Sequence, residues 1–371
     1  MKPKRVLICG FTGNYGGMEA YIMNIYRNID RTKLQFDFLY PYEDKMAFSD
    51  EVLKLGGHIY HVPGRKKSPA AHYRLLKKLF KEHQFAGMYY QCNQKLHTLE
   101  IFKYAKRYGV KHRVVHSHNS TQIESSKINA YREKLIEMNM DKYATDYFAC
   151  SKDAGKWMFP GKEYTVINNG VDITKFRYDT GIRDSLRREM NIDDNTVVLG
   201  TVGRLSEQKY PEFMVEAFRE YHKLNPDSVF IHIGAGEKER EMLELVAKYE
   251  LGNEYFLVGK KDNVYDYMNM MDGFVLSSRY EGFPIVLVEA QSTGLGCIVS
   301  DVITEDVNIT GKISYVPLGN PSEWAAAIDA VISRDKGRRE DQTARIKELG
   351  YDIVSVSESI QKYFTEDEDI K

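Results

Sequence analysis

The sequence predicts an α/β protein of two domains, each a doubly wound, mostly parallel sheet with helices on both faces. Its 371 residues exceed the length at which a single hydrophobic core stops growing, so two cores of ordinary size are expected. Short apolar, β-branched or aromatic runs alternate with segments of helical period along almost the whole chain, as βα units require. The alternation restarts near residue 165, at YTVINNGVD, which places the domain boundary there.

The first element is RVLICG. It has a basic start and a short apolar stretch, but it runs into a glycine loop without a small-residue cleavage site, so it reads as a strand and not as a signal peptide. FDFLY, HIYHVP, MYYQCN, RVVHSH and DYFACS follow as strands, with helices expected at EAYIMNIYRNI, YRLLKKLFKEH, HTLEIFKYAKRYG and YREKLIEMNM. The second half repeats the scheme with VVLGTVGRL, VFIHIGAG, YFLVGK, GFVLSS, GCIVS and ISYVPLG. Between these lie helices at FMVEAFREYHKL, REMLELVAKYE, VLVEAQST and EWAAAIDAVI. Six strands are expected in each half. The domains are accordingly drawn as 1–165 and 166–350, with 351–371 as a terminal helix on the spacing of Ile353, Val356, Ile360 and Phe364. The acidic end, TEDEDIK, is expected to fray.

Composition narrows the function classes. Apolar residues make up 43% and charged residues 28%, and no run approaches the roughly 18 apolar residues of a membrane helix. Cys9, Cys92, Cys150 and Cys297 are widely spaced, lie in or beside strands and show no CxxC or Cys/His metal spacing. Reduced core thiols in a cytoplasmic protein are expected.

The net charge of −1 hides an asymmetry: residues 1–165 hold 28 basic and 16 acidic residues, a balance of +12, and the remainder balances to −13. Basic clusters stand at Arg65-Lys66-Lys67, at Arg74, Lys77, Lys78 and Lys81, and at Lys103, Lys106, Arg107, Lys111 and Arg113. Anionic lipid headgroups or a lipid-phosphate acceptor at the inner face of the cell membrane suit them, and an ordinary solvated surface suits them equally. Nucleic acid is not expected, because no run interleaves aromatic and basic residues in a recognised binding module.

The segment SRYEGFPIVLVEAQSTGLGCIVSD carries the strongest chemical signal. A strand ends at Ser277-Ser278, a polar loop follows, and Pro284 stands where a helix begins, at its first turn. The free N–H groups of Phe283, Ile285 and Val286, with the positive end of the helix dipole, would bind phosphate, and a diphosphate is the natural guest. Glu281 and Glu289, eight residues apart, would sit at different depths and are not expected to flank one bond as an acid/base pair. The plain alternative is an exposed loop glutamate and a helix-face glutamate paired with a lysine.

With these residues in view, the chain resembles the retaining glycosyltransferase family 4, whose GT-B fold sets two Rossmann-like domains face to face across a cleft. Glu281 and Glu289 match its E-x7-E pattern. GGME at 16–19, HSHN at 116–119, INNGVDITKF at 167–176, GRLSEQK at 203–209 and GAGE at 234–237 match in family order over nearly the whole chain. The resemblance implies a metal-independent enzyme that moves a sugar from a nucleotide sugar, most commonly a UDP-sugar, to a saccharide or lipid-linked acceptor, as in bacterial capsule or exopolysaccharide assembly. No cofactor is implied.

By the same resemblance Arg204 and Lys209 neutralise the donor diphosphate, Glu281 contacts the transferred sugar and Glu289 holds the ribose. Gly236, in the loop Gly234-Ala235-Gly236, would let backbone approach the nucleotide, and Val258 and Lys260 would contact the base. In the first half, Gly16 and Gly17 would face the donor phosphates, Asn14, Tyr15 and Asn119 the acceptor, and His118 would be the active-site histidine. His116 is expected to be packed behind it, and a metal on the two histidines is not expected. The resemblance also implies that the last helix crosses back onto the first domain. A nucleotide-sugar epimerase of the same architecture and a non-catalytic binding partner are the competing readings. The epimerase needs extra cleft carboxylates that are not identified here, and the intact His118, Arg204, Lys209, Glu281 and Glu289 speak against the binding partner.

Overall fold

The computed structural model describes residues 2–96, 98–119, 127–335 and 339–366, without the side chains of 127–130 and 132. Of the acidic end, residues 367–371 lie outside the described residues, as does His97 of the expected helix HTLEIFKYAKRYG. Two compact units are formed, Met1–Gly170 with Asp352–Lys371, and Val171–Tyr351.

The first unit runs β1 (Lys4–Cys9), α1 (Gly17–Asn28), β2 (Leu34–Tyr40), α2 (Ser49–Lys54), β3 (Ile59–His61), α3 (Pro69–Glu82), β4 (Gly87–Cys92), α4 (Glu100–Arg107), β5 (His112–Ser117), α5 (Lys127–Asn139), β6 (Asp146–Ala149), α6 (Lys152–Met158) and β7 (Thr165–Val166). All strands pair in parallel, in the order β3-β2-β1-β4-β5-β6-β7. Central strands are covered on both faces, which is why RVLIC reads as a continuous apolar run with Val6, Leu7 and Ile8 fully buried. The sheet has seven strands where six were expected. The seventh, β7, is two residues long and too short to carry a periodic signal.

The second unit runs α7 (Thr180–Glu189), β8 (Val197–Val202), α8 (Pro211–Leu224), β9 (Ser228–Ile233), α9 (Glu239–Lys248), β10 (Tyr255–Gly259), α10 (Val264–Met270), β11 (Gly273–Leu276), α11 (Ile285–Ser292), β12 (Gly296–Ser300), β13 (Ile313–Val316), α12 (Pro321–Asp335) and α13 (Thr343–Glu348). Its six strands are parallel, in the order β10-β9-β8-β11-β12-β13. Buried Trp324 anchors α12 on α8 by an edge contact with Phe213 at 5.3 Å, and its indole N–H donates to the Pro317 carbonyl at 2.9 Å. In both sheets the order reverses beside the first strand, so each has a switch point between strand ends where such folds take ligands.

The last helix, α14 (Ile353–Glu366), packs against α1, β1 and β2 of the first unit. Its Phe364 ring lies where Gly87 of β4 has no side chain; a Cβ there would come within 2.5 Å of the ring. Tyr363 donates to Asp146 at 2.5 Å, and Gln361 accepts from the Asp30 N–H at 2.7 Å. The four cysteines are free and buried, one or more in each unit, and burial pushes their thiols up from the ordinary range.

Candidate active site

Parallel strands deliver their carboxyl ends to one edge of each sheet, and the candidate residues lie at or just after such ends. In the second unit β8 leads to Arg204 and Lys209, β9 to Gly234–Gly236, β10 holds Val258 near its end and leads to Lys260, and β11 leads to Glu281 and α11. Because β8 and β11 are neighbours, the loops after them meet. Ser277 Oγ donates to the Tyr210 carbonyl at 2.9 Å, the Arg279 N–H to the Gln208 carbonyl at 2.8 Å, and Gln208 Nε2 to the Tyr280 carbonyl at 3.1 Å.

At their junction the Lys209 ammonium pairs with the Glu281 carboxylate, which also accepts from Ser278 Oγ at 2.7 Å. The Lys209 side chain is 17% exposed and that of Glu281 8%. Arg204 differs: it is exposed and has no hydrogen-bond or ionic partner among the described residues. Glu281 is thus not the exposed loop carboxylate of the plain alternative, and the lysine partner belongs to it and not to Glu289.

Helix α11 begins at Ile285, with Pro284 as its N-cap residue and not inside the first turn. The N–H groups of Phe283, Ile285 and Val286 find no acceptor among the described residues, whereas Leu287 N–H is already bonded to the Pro284 carbonyl at 3.0 Å. Phe283 stacks on Tyr351, which fixes the loop before the helix. Glu289 lies one turn in and has no partner among the described residues. Solvent reaches part of it, yet the surrounding atoms exclude enough water to push its carboxyl up to about 7.

The glycines after β9 have a reason within the fold itself. A Cβ on Gly234, whose φ is +146°, would lie 1.8 Å from the Gly203 carbonyl oxygen, and one on Gly236 would lie 2.2 Å from that of Leu205. They let the two strand-end loops cross at backbone distance, secured by Leu205 N–H to the Ala235 carbonyl at 3.2 Å. Val258 occupies the irregularity between Leu257 and Gly259 at the end of β10, and Lys260 is exposed beyond it.

In the first unit Gly16 is the N-cap residue of α1, while Asn14, Tyr15 and Gly17 are exposed. Tyr15 lies edge-on to Phe48 at 4.7 Å. The loop is tied by Glu19, which is 3% exposed and accepts from Thr12 Oγ1 at 2.6 Å and Thr12 N–H at 3.2 Å; Thr12 Oγ1 in turn accepts from Asn14 N–H at 3.1 Å. A first-turn carboxylate also suits the helix dipole.

After β5, His118 and Asn119 are half-buried. His118 Nε2 faces Gln91 Oε1 at 2.7 Å, so its ring N–H donates there and Nδ1 keeps the lone pair. Its ring stacks on His116 at 4.2 Å, and Tyr21 meets both rings edge-on at 5.2 and 5.0 Å. His116 is fully buried, held by Tyr89 at 2.5 Å through Nδ1. Burial lowers both imidazoles, His118 to about 3, so the pair is neutral over the ordinary pH range. Asn119 Nδ2 donates to the Asn93 carbonyl at 3.2 Å.

Gln91, Glu19, Thr12 and Ser278 shape these strand ends and were not singled out from the sequence. Glu19 stood inside GGME, and Gln91 is the one polar residue of the apolar run MYYQC; a buried-polar criterion would have found both. A concavity of about 900 Å³ in the first unit, lined by Asp141, Asp146, Tyr147, Lys162 and Glu163, lies at the amino end of β6 and away from these residues. Among the described residues no cluster of three or more His, Cys, Asp or Glu side chains is placed to hold a metal ion, and no helix is long and apolar enough to cross a membrane.

Comparison with known proteins agrees with this layout. The sequence profile of the family described as Glycosyl transferases group 1 matches residues 182–349. The chain is 31% identical over 364 residues to the putative glycosyltransferase EpsF of Bacillus subtilis, covering 94% of this chain and 93% of that protein. It is 34% identical over 205 residues, about half of each chain, to an Escherichia coli UDP-Gal:α-D-GlcNAc-diphosphoundecaprenol α-1,3-galactosyltransferase. The structure of Anabaena HepE in complex with UDP superposes with a TM-score of 0.77 at 17% identity, over 98% of this chain and 100% of that one, which identifies the fold as GT-B.

Proposed function

Since this chain belongs to the glycosyl transferases group 1 family and is a hexosyltransferase, we propose that it is a retaining, metal-independent member of family 4. In this reading it moves a hexose from a nucleotide sugar, a UDP-sugar first among candidates, to a saccharide or lipid-linked acceptor of a surface polysaccharide. The donor class is supported by the UDP bound in HepE, and the acceptor class by the diphosphoundecaprenol substrate of the E. coli relative.

One observation carries the chemistry. Arg204 is an unpartnered cation, Lys209 is a cation held by Glu281, and the open N–H groups at the start of α11 follow the same pair of adjacent strands. Together they are suited to a diphosphate leaving group, because fixed cations and backbone dipoles stabilise the charge that develops on its oxygens. Glu289 accepts from the ribose hydroxyls. When the hexose arrives, Glu281 can share its carboxylate between Lys209 and a sugar hydroxyl. The acceptor oxygen attacks the anomeric carbon on the face the diphosphate leaves, the bond from that carbon to the phosphate oxygen breaks, and the acceptor proton passes to the departing diphosphate. His118, neutral and with a free Nδ1 lone pair, is assigned to hydrogen-bond the sugar or the acceptor.

A panel of nucleotide sugars screened by thermal shift and by donor hydrolysis in EDTA tests the proposal. One donor should raise the melting temperature and be slowly hydrolysed, with hydrolysis lost in Glu281→Ala and stabilisation lost in Arg204→Ala. A stabilising donor that is never hydrolysed, with or without acceptor, would refute turnover. Hydrolysis that requires a divalent ion would refute metal independence.

A further inference from the structure

The first unit carries a feature that the transfer chemistry does not use. Helix α5 turns its apolar stripe outward: Tyr131 is 66% exposed, Leu135 42% and Met138 69%, and their spacing puts them on one side of the helix. Its carboxylates turn the other way, with Glu133 buried and Glu137 at 3.8 Å from the half-buried Lys95. A helix on a water-facing surface has the opposite polarity. A contiguous exposed apolar stripe marks a contact surface.

Its surroundings are basic. Lys134 is exposed on α5 itself, and just past the helix the Lys103 and Lys106 ammonium groups both lie over the Tyr143 ring, at 5.4 and 5.7 Å. Lys106 Nζ donates to the carbonyl of exposed Lys142 at 2.7 Å, while the nearby Asp141 carboxylate is taken by Lys162 and Tyr147. The crossovers β3 to β4, β4 to β5 and β5 to β6 all run in one direction across the sheet. Right-handedness therefore puts α3, α4 and α5 on one face, and α3 packs on α4. That face adds the exposed Lys77 and Lys81 of α3.

We propose that this face docks on an anionic lipid bilayer, with Tyr131, Leu135 and Met138 entering the headgroup–acyl boundary and the lysines meeting the headgroups. The charge decides the occupant. In a two-fold dimer a second copy of the chain would meet the patch through the same patch, lysine against lysine, whereas anionic headgroups complement it. The proposal deepens the reading of a lipid-linked acceptor and rests on it only for its purpose, because docking itself needs neither donor nor acceptor.

The full chain should co-sediment with mixed phosphatidylglycerol–phosphatidylcholine vesicles, more weakly with phosphatidylcholine alone, and less as salt is raised. Replacing Tyr131, Leu135 and Met138 together by Ser should weaken partitioning at least about tenfold, with the melting temperature and vesicle-free donor hydrolysis unchanged. Should that variant not fold, Lys134→Glu with Lys142→Glu should weaken binding to the anionic vesicles selectively. Absence of binding by the wild type, or binding unaltered in these variants, would overturn the proposal. So would a dimer in sedimentation equilibrium that the triple variant dissociates while vesicle binding persists. Failure of donor hydrolysis with intact vesicle binding would instead count against the proposed function.

Discussion

The two sheets order their first six strands alike, yet their carboxyl ends solve opposite electrostatic problems. In the second unit, which lies in the acidic half of the sequence, the strand ends present an open Arg204 and a Lys209–Glu281 pair. In the first unit, in the basic half, they present two stacked neutral imidazoles bounded by Tyr21, Tyr89 and Gln91, while lysines populate the helices of one face. Net charge and site charge are therefore separate quantities. The first describes what the surface of a domain meets, and the second is set by a few side chains delivered by neighbouring strands.

The largest way to test that contrast is to remove Lys209. Lys209→Ala takes away a cation and also leaves Glu281, 8% exposed, without its counter-charge, so both members of the pair are lost to the site. Donor turnover should fall by about a hundredfold or more, the loss typical for one fixed donor at a developing anion. Lys209→Arg should restore part of it. Retention of near wild-type turnover in the alanine variant would mean that the pair is only a loop brace.

Arg204→Ala should be the cleaner perturbation. The side chain is exposed and unpartnered among the described residues, so the melting temperature should hold within about one degree. Affinity for a nucleoside diphosphate should fall about tenfold to a hundredfold, the value of one lost charge-assisted contact of about 1.5–3 kcal/mol. Isothermal titration would read it, and an unchanged affinity would remove Arg204 from the site.

How much of this the sequence disclosed follows from the range of the interactions. All twelve apolar runs are strands; the central ones announce themselves locally because they are buried on both faces, and edge strands such as β3 and β10 do so as short aromatic or β-branched runs. The short helices α2, α6, α7, α10 and α13 went unread, whereas α4, α9 and α11, of eight to ten residues, were read from their apolar period. Motif order pointed to Arg204, Lys209, Glu281 and Glu289, but the Lys209–Glu281 contact joins residues 72 apart and exists because β8 lies beside β11. The same holds for Gly234 and Gly236, whose need for a missing Cβ comes from a carbonyl two loops away. Inverted polarity on α5 was invisible while its inner face was unknown.

The smallest expected effect separates the two units by sign. Burial raises the Glu289 carboxyl from 4.5 to about 7, so the native state holds more protons than the unfolded chain between those values, and stability falls as pH rises through that window. Burial lowers His118 from 6.5 to about 3, so here the unfolded chain holds more protons, and stability present above pH 6.5 is lost as pH falls toward 3. Between about pH 4.5 and 6.5 the two slopes oppose each other. Relative to wild type, Glu289→Gln should therefore make the slope of stability with pH more positive across that window, and His118→Gln should make it less positive, on a background rise that the lowered His116 and His232 supply in both variants. Across that window of about two pH units each contribution is at most about 3 kcal/mol, a shift of several degrees in melting temperature. Thermal unfolding followed from pH 4.5 to 8 reads both signs. Equal slopes in the two variants would show that the carboxylate and the imidazole do not occupy the contrasting environments on which the comparison rests.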